Sequence, residues 1–358
     1  MGGQKGIYLF LKYFSRHCDL ICYTIKKNIP AAGEPFLVKN ILSNGRLRYI
    51  NLSYFFKLKG EFRKDGITHL IIEHPYYGWL GWLLKNFAGV KLIVHSHNIE
   101  ALRFRDTGRW WWRILWYYER FVHRRADRNF FISEEDKVYA IENFRLDADK
   151  CIVVTYGTEQ SHAPNQLERM AARKQIGSQH SVADADTLLL YNGTLDYPPN
   201  LAALDLIVEK INPMLQADKE HSFTTIICGK SLPASYQQLD KYRNQKIIYA
   251  GFVDEIRNYF YASDIFLNPV ADGGGIKTKL VESLAANCST VSFEKGAFGI
   301  PAGCTGKKLF IASDGNVDAF TAAVNKAAAM GAQDIPPEFF HFFYWENIAK
   351  KAFDFIQH

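Results

Sequence analysis

Short runs of apolar residues recur along the chain, and longer stretches with apolar positions at helical spacing separate them. The short runs are rich in β-branched and aromatic residues, which favours strands, whereas the longer stretches favour amphipathic helices. Alternation of strand and helix is typical of a parallel sheet that is covered by helices. The pattern therefore predicts an α/β fold.

The alternation occurs in two blocks. At 358 residues the chain is long enough for two domains of ordinary size. We therefore predict two tandem Rossmann-like, doubly wound domains. The predicted strands span 19–24, 69–74, 91–97, 128–133 and 151–156 in the first block, and 187–193, 223–229, 246–251, 264–270 and 289–294 in the second.

The two blocks also predict the domain boundaries. We place the first domain at residues 1–160 and the second at 187–339. The segment 161–186 is polar and lacks a strand pattern, so we predict that it links the domains. A last amphipathic stretch, 340–358, follows two prolines and predicts a closing helix.

Composition narrows the class of ligand. A net charge of +6 fits anionic ligands such as nucleotides, phosphates or acidic lipid headgroups. The charge is too small and too dispersed to indicate a nucleic-acid-binding protein. We therefore expect a small anionic substrate and no nucleic-acid partner.

The cysteines and the hydropathy predict the compartment. The six cysteines include no C-x-x-C pair and mostly lie in apolar stretches, which disfavours a zinc site or a disulfide framework. No run approaches 18 apolar residues, and no signal-peptide pattern opens the chain. We expect a cytoplasmic protein, with peripheral attachment to the inner face of the membrane as an option.

Ligands of doubly wound sheets bind outside the carboxyl ends of the strands, so the residues after each predicted strand are the candidates for a site. The segments that this rule selects are 95–100, 192–194, 229–230, 251–253 and 271–285.

The segment 271–285, ADGGGIKTKLVESLA, places a glycine loop between a strand and a helix. Backbone amides, the positive end of the helix dipole, Lys277 and Lys279 together favour a phosphate or diphosphate. Lys279 and Glu282 are three residues apart and share a helix face. The alternative is a flexible turn with a solvated surface pair. The spacing matches neither the P-loop nor the dinucleotide-binding motif, which disfavours NTPases and NAD enzymes.

A second cluster, HSHNIEALRFR, contains His95, His97, Asn98 and Glu100 at the end of a predicted strand. Histidines in this position can donate to or polarise a substrate oxygen. The H-x-H pair could also bind a metal, although no second Cys or His cluster completes a coordination sphere. A buried structural histidine is the alternative for each of them.

The segment 103–125 combines four tryptophans with seven arginines and two acids. Such an aromatic and basic helix can lie on an anionic membrane surface. Alternatively, the aromatic residues belong to the core and the arginines to a solvated face. The residues on the predicted surface are Trp112, Leu115 and Trp116, with the cations Arg109, Arg113 and Arg120.

Three segments together carry a family resemblance: 95–133, 188–207 and 249–300. They resemble the family 4 (group 1) retaining glycosyltransferases of the GT-B fold. The resemblance implies a nucleotide-sugar donor on the second domain and a glycan or lipid-linked acceptor on the first, with surface polysaccharide as the product class. It also implies that the helix from Trp345 joins the first domain, and that neither a cofactor nor a metal is needed.

The resemblance also implies roles for individual residues. Glu282 matches the second acid of the family's E-x7-E motif, which binds the donor ribose, and His97 matches a histidine that faces the transferred sugar. The matching donor-binding residues are Gly193, Lys230, Phe252, Val253, Asp272, Gly274, Gly275, Lys277, Lys279 and Glu282, the acceptor-side residues are Gly2, Gly3, His95, His97 and Asn98, and the catalytic residues are His97, Lys279 and Glu282.

The sequence departs from the family in two places. Gly274 stands where the first acid of E-x7-E is expected, as in a glycine-rich subgroup, and Asp272 is the candidate substitute. Gly2 and Gly3 match a turn that follows the first strand in the family, but no strand precedes them here. We therefore expect a first domain without its first strand, in a sequence whose start was assigned too late or that was shortened.

Family members transfer the sugar with retention: the acceptor hydroxyl approaches on the face of the leaving group, and a phosphate oxygen takes its proton. Amides and lysines placed in advance can stabilise the departing diphosphate without a metal. Two alternatives share the fold. One is a nucleotide-sugar epimerase, and the other is a non-catalytic protein that binds nucleotide sugars.

Overall fold

The computed structural model describes residues 2–30, 33–218, 220–272, 275–331 and 333–357. The strands of these residues are β1 (Ile21–Ile25), β2 (Leu37–Leu42), β3 (His69–Glu73), β4 (Lys91–Ser96), β5 (Arg128–Phe131), β6 (Cys151–Val153), β7 (Thr187–Thr194), β8 (Phe223–Lys230), β9 (Ile247–Gly251), β10 (Ile265–Asn268), β11 (Ser289–Phe293) and β12 (Leu309–Ala312).

The α-helices of the same residues are α1 (Gly2–Phe14), α2 (Ser53–Asp65), α3 (Gly78–Ala88), α4 (Glu100–Asp106), α5 (Trp112–Arg125), α6 (Glu134–Phe144), α7 (Gln166–His180), α8 (Pro198–Leu206), α9 (Asn212–Gln216), α10 (Ile256–Ala262), α11 (Thr278–Ala285), α12 (Val317–Ala329), α13 (Pro337–Phe343) and α14 (Trp345–Gln357).

The chain divides into two compact units. Unit 1 comprises Met1–Gly157 and Trp345–His358, and unit 2 comprises Thr158–Tyr344. The polar segment between the two blocks contains α7, which packs against α10 within unit 2. A capping box between Asn165 and Glu168 begins this helix by satisfying two backbone N–H groups.

Unit 2 contains one six-stranded parallel sheet in the order β12-β11-β10-β7-β8-β9. The chain builds outward from β7 in one direction and then returns to continue from β10 in the other, which is the doubly wound arrangement predicted from the sequence. Apolar side chains are buried on both faces of the sheet, as the continuous apolar strands require. The order reverses between β7 and β10, and ligands of such sheets bind at that point.

Unit 1 contains two smaller parallel sheets, one of order β3-β4-β5-β6 and one that pairs β1 with β2. Within the described residues no strand precedes α1, and β1 and β3 each pair on one side only. The parallel strands of unit 1 are therefore divided between two sheets. The result is a Rossmann-like sheet in two parts.

The terminal helices of unit 1 pack against each other. In α14, Trp345, Ile348, Ala352 and Ile356 follow a helical period and are all buried. Apolar residues at this spacing form one continuous stripe, which determines the face that α14 buries. Phe353 and Phe355 of the same helix add ring contacts with Phe14 and Phe130.

All ten predicted strands occur, but β2 and β12 were missed. The β2 sequence, LVKNIL, has Lys39 and Asn40 in its centre and is mostly half-buried, so it lacks both an apolar run and a clear alternation. β12 has only four residues, Leu309–Ala312. Both strands lie at the edge of a sheet, where burial on two faces is not required.

Helix packing in unit 1 depends on one glycine at the contact between α3 and α5. A Cβ atom added at Gly78 would lie 2.1 Å from Cγ2 of Val122. We expect Gly78→Ala to lower the free energy of unfolding by about 1–3 kcal/mol because the two helices must separate. Urea denaturation followed by circular dichroism measures the change.

Gly60→Ala is the matched control. Gly60 is exposed in α2, and no atom lies within 4 Å of the position of its added Cβ. This variant should gain about 0.5–1 kcal/mol, because alanine loses less backbone entropy than glycine in a helix. Equal effects of the two substitutions would contradict the close approach of α3 and α5.

Candidate functional site

The carboxyl ends of β7 and β8 approach each other closely in unit 2. A Cβ atom added at Gly229 would lie 2.1 Å from the carbonyl oxygen of Gly193, and one added at Gly193 would lie 2.9 Å from Nδ2 of Asn200. A side chain at either position would collide with a neighbouring strand or loop. Glycine therefore permits the close approach of β7 and β8 beside the point where the strand order reverses.

Lys279 of α11 reaches toward the end of β7. Its Nζ atom lies 3.2 Å from the carbonyl oxygen of Asn192 and 3.3 Å from Oδ1 of Asn200. It also lies 4.8 Å from the centre of the Tyr191 ring. Burial, and to a lesser extent the nearby Lys277, lower the pKa of Lys279 to about 7. The interpretation of Lys279 as a solvated surface residue is therefore wrong.

Within the part of the chain that the structure describes, no carboxylate oxygen lies within 4.0 Å of Nζ of Lys279. A buried cation usually has an acidic partner, because burial without one is costly. Among the described residues, the hydrogen-bond partners of Lys279 are a carbonyl oxygen and an amide oxygen.

Lys277 precedes α11 and bonds through Nζ to the carbonyl oxygen of Gly275, at 3.3 Å. Burial lowers the pKa of Lys277 to about 8, and Asp272 opposes this shift. Gly275 has a φ of +70°, a conformation that favours glycine. Gly274, which replaces the acid of the motif, lies outside the described residues, so its role stays a prediction.

The other predicted donor residues lie at the same edge of the sheet. Phe252, directly after β9, is 68% exposed, and Val253 beside it is half-buried. An exposed aromatic ring at a strand end offers a face for stacking a base. Lys230, the last residue of β8, is exposed, and Glu282 is half-buried one turn after Lys279 on α11.

Unit 1 contains a cluster that we call the histidine cluster: Glu73, His74, His95 and His97. Oε2 of Glu73 lies 2.5 Å from Nε2 of His97 and 3.1 Å from Nδ1 of His95. The His97 ring lies between the other two, with centroid distances of 4.4 Å to His95 and 4.5 Å to His74. The carboxyl ends of β3 and β4 bring these groups together.

The two residues of the H-x-H pair differ in exposure. His95 is 2% exposed, and its Nε2 atom lies 3.3 Å from the carbonyl oxygen of Val154. Both ring nitrogens of His95 therefore lie at hydrogen-bond distance from interior groups, and its acceptor-side role stays a prediction. His97 keeps 13% of its side chain exposed and is the member of the pair that a substrate could reach.

Glu73 was missed in the sequence, although the carboxyl-end rule applies to β3 as much as to β4. With His95 and His97 it forms a set of three ligand atoms within 4.8 Å of one another. Such a set could hold a divalent metal. The sequence offered no third ligand because Glu73 is 22 residues from His95 along the chain.

A buried acid holds the loop that follows His97. Glu119 of α5 accepts hydrogen bonds from the backbone N–H groups of Glu100 and Ala101, at 2.9 and 2.8 Å. These bonds satisfy the first turn of α4. Burial raises the pKa of Glu119 to about 8. Asn98 lies in this loop, and its Nδ2 donates to Oε1 of Glu100 at 3.4 Å.

The predicted glycine turn at the start of the chain is a helix instead. Gly2 and Gly3 lie in the first turn of α1. The structure therefore places them inside a regular element, and their proposed contact with substrate stays a prediction.

The aromatic and basic segment exposes a different face from the one predicted. Trp116 packs against Phe144 and donates from its ring N–H to the hydroxyl of Tyr139, so it belongs to the core. The exposed side chains recur at every third or fourth residue and form one stripe. They are Trp110 (82% exposed), Ile114 (65%), Tyr117 (65%) and Phe121 (36%).

Solved structures with a similar fold cover nearly the whole chain. Sucrose-phosphate synthase from Thermosynechococcus elongatus has a TM-score of 0.71 at 15% identity, over 98% of this chain and 92% of that one. Anabaena HepE in complex with UDP has a TM-score of 0.68 at 13% identity, over 100% and 93%. The lipopolysaccharide outer core galactosyltransferase WaaB, in its apo form, has a TM-score of 0.66 at 12% identity, over 100% and 96%.

At these identities the similarity establishes the fold alone, and that fold is the GT-B class with two Rossmann-like sheets. No curated protein matches the sequence. A model described as Glycosyltransferase Family 4 matches residues 2–161, and one described as Glycosyl transferases group 1 matches residues 186–329. The chain belongs to the group 1, family 4 glycosyltransferases. Neither match favours an epimerase or a non-catalytic binding protein.

The buried lysine has a pH-dependent effect on stability. The pKa of Lys279 is lower in the folded protein than in the unfolded chain, so folding releases a proton between pH 7 and the ordinary lysine range. The stability of the wild type should therefore rise, relative to Lys279→Met, as the pH increases from 6 to 9. Thermal denaturation across this range measures the difference in Tm.

Lys307→Met is the control, because Lys307 is exposed. Its difference from the wild type should stay constant over the same pH range. A difference between wild type and Lys279→Met that is equally constant would contradict the burial of the Lys279 cation.

Proposed function

We propose that the protein transfers a sugar, with retention of configuration, from a nucleotide-diphosphate sugar to a glycan or lipid-linked acceptor. The main support for the donor site is the half-buried cation of Lys279, which lies beside the strand reversal of unit 2 with no carboxylate partner among the described residues. A diphosphate supplies the missing negative charge. HepE, a structure of similar fold, binds UDP, which supports a nucleotide donor.

In the proposed chemistry, unit 2 binds the leaving group, which is the nucleoside diphosphate. Lys277, Lys279 and the glycine amides stabilise the diphosphate as the bond to the anomeric carbon breaks, and no metal takes part. Glu282 accepts hydrogen bonds from the ribose hydroxyls, and Phe252 stacks on the base. A phosphate oxygen takes the proton of the acceptor hydroxyl.

The proposed acceptor half lies on unit 1, where His97 faces the transferred sugar and its acceptor. WaaB, a structure of similar fold, is a lipopolysaccharide outer core galactosyltransferase, which supports a surface glycan as the product class. Experiment can identify which sugar and which base the donor contains. A thermal-shift screen against UDP, GDP and their sugars selects the ligand that raises Tm.

The donor site predicts a loss of affinity when its cation is removed. Lys279→Ala should weaken binding of the selected nucleotide by about tenfold to hundredfold, because a charge-assisted hydrogen bond contributes about 1.5–3 kcal/mol. Glu282→Ala should weaken binding of the nucleotide without changing the affinity for inorganic pyrophosphate. Isothermal titration calorimetry measures both.

Lys307→Ala is the control for charge, since it removes an exposed lysine from the same unit. Unchanged affinity and unchanged sugar transfer in both Lys279→Ala and Glu282→Ala would show that the donor site is assigned wrongly.

Donor binding should also take up protons. The pKa values of about 7 for Lys279 and about 8 for Lys277 leave both groups partly neutral above pH 7 in the empty site. A bound diphosphate favours the protonated forms, so the affinity for a nucleotide sugar should fall by up to about tenfold per pH unit for each lysine above its pKa.

Calorimetry in buffers of different ionisation enthalpy counts the protons taken up. The nucleotide sugar is the proper ligand, because its phosphates stay ionised throughout the range. An affinity that does not change from pH 6 to pH 9 would contradict the proposed pairing of lysine with diphosphate.

We also propose that unit 1 binds an anionic membrane surface. Trp110, Ile114, Tyr117 and Phe121 form the exposed apolar stripe of α5 and the turn before it. The exposed cations beside the stripe are Arg105, Arg109, Arg113, Arg124 and Arg125. Within the stretch 103–125, Asp106 is the only exposed acid. An apolar stripe flanked by cations fits a layer of anionic headgroups.

Neighbouring helices extend the same apolar surface. Phe121 contacts Trp82 of α3 at a ring distance of 5.7 Å, and the exposed Phe87 contacts Phe55 of α2 at 5.9 Å. Phe56 beside it is 75% exposed. None of the described helices is long and apolar enough to span a bilayer. The proposed attachment is therefore at the surface.

Vesicle co-sedimentation tests the attachment. Wild type should bind vesicles that contain phosphatidylglycerol, and the double variant Ile114→Ser/Tyr117→Ser should bind about tenfold or more weakly, since each apolar side chain contributes about 1.5–3 kcal/mol when buried. Ile311→Ser, which removes an exposed isoleucine of unit 2, is the control. Equal binding by wild type and double variant would contradict the proposal.

A further inference from the structure

Glu73 lies at hydrogen-bond distance from His95 and His97, the two histidines that the sequence had already indicated. It ends β3 and lies in register with His95 of β4, so its carboxylate is directed along the edge of the sheet. The same carboxylate lies 2.5 Å from Nε2 of His97 and 3.1 Å from Nδ1 of His95. These are hydrogen-bond distances, and a carboxylate accepts bonds from both imidazole rings.

His95 uses both ring nitrogens in the interior, since Nε2 faces the carbonyl oxygen of Val154 and Nδ1 faces Glu73. His97 uses only Nε2. Its Nδ1 atom has no hydrogen-bond partner among the residues that the structure describes, and the side chain keeps 13% of its area exposed. Nδ1 of His97 is therefore the polar atom of the pair that a ligand can meet.

The orientation of the His97 ring is also restrained. The rings of His74 and His95 lie on either side of it, at centroid distances of 4.5 and 4.4 Å. His74 is held in turn by a backbone hydrogen bond from its N–H to the carbonyl oxygen of His95, at 2.9 Å. A ring packed between two others cannot rotate without displacing them.

We infer that Glu73 is a positioning residue for His97: its carboxylate keeps the proton on Nε2, so that Nδ1 presents a lone pair to a hydroxyl of the bound sugar. This inference rests on the proposed sugar transfer. A carboxylate that accepts the other N–H of a histidine fixes its tautomer and makes the remaining nitrogen a better acceptor.

A metal held by Glu73, His95 and His97 is the competing interpretation. Ligand atoms at about 2.0–2.2 Å from one ion in tetrahedral geometry lie about 3.4 Å apart. The separation of 2.5 Å between Glu73 and His97 is much shorter and matches a hydrogen bond from the imidazole N–H to the carboxylate. The geometry thus favours a hydrogen bond between carboxylate and imidazole.

Charged neighbours determine the pH response of His97. Those that face it are Glu73 and His74 at the end of β3, His95 of β4 and Glu100 of α4. Burial and then His95 lower the pKa of His97, whereas Glu73 and Glu100 oppose them. Burial acts to raise the pKa of Glu73, but His95 and His97 outweigh it and hold the pKa below its usual range. Glu73 is therefore a carboxylate at neutral pH.

Kinetics separate positioning from simple structural support. Glu73→Ala and Glu73→Gln should lower kcat about tenfold to hundredfold, by analogy with the loss of carboxylate partners of metal-bound histidines, with the KM for the donor unchanged. Formate should restore part of kcat in Glu73→Ala. The acidic limb of the pH profile should move to lower pH, because the imidazolium of His97 loses its carboxylate partner.

Glu61→Ala is the matched control, since Glu61 is an acid of unit 1 that pairs with Lys39 at 2.7 Å, away from the histidines. It should leave kcat and the pH profile unchanged. An unchanged kcat in both Glu73 variants, or a lost kcat that formate does not restore while circular dichroism reports a native fold, would overturn the inference.

Nitrogen NMR of wild-type protein labelled at histidine gives a readout that does not depend on activity. The resonances of His97 should show the proton on Nε2, and this pattern should change in Glu73→Gln. A proton on Nδ1 in the wild type, or tight Zn²⁺ binding that Glu73→Gln abolishes, would overturn the inference. If instead no nucleotide binds and no sugar is transferred, the proposed function fails while the NMR result still stands.

Discussion

The parallel order of the strands is the constraint on which both candidate sites depend. Because every paired strand of a sheet runs the same way, the loops after β7, β8, β9 and β10 meet at one edge of unit 2, and the ends of β3 and β4 meet at one edge of unit 1. Residues as distant in sequence as Asn192 and Lys279 become neighbours for this reason. Gly193 and Gly229 permit the closest of these approaches.

The two units use opposite electrostatic arrangements. In unit 2, Lys279 is half-buried and bonds to neutral carbonyl and amide oxygens, so the proposed diphosphate would supply a negative charge that these partners lack. In unit 1, Glu73 is already paired with two histidines, so its charge is satisfied before any ligand arrives. The first arrangement favours binding of a charged group, and the second favours a fixed orientation of one ring.

Much of this organisation follows from patterns that a single sequence contains. Continuous apolar runs predicted ten of the strands, and the glycine and lysine loop indicated the proposed donor site. The sequence pattern did not predict the edge strands β2 and β12. An edge strand needs neither a long apolar run nor a regular alternation of apolar and polar residues. The sequence did not indicate Glu73 because its histidine partners follow from another strand. Only the register of β3 with β4 makes them neighbours.

The sequence by itself determined the α/β class, the two blocks and the cations of the segment 271–285, since each of these depends on the order of residues along the chain. The tertiary structure decided which of those residues are buried together. In the structure, Trp116 packs against the core, whereas the stripe from Trp110 to Phe121 lies on the surface. His95 lies in the interior, whereas His97 is accessible. Burial and pairing depend on contacts between distant segments, and helical spacing alone does not specify which face of a helix those segments cover.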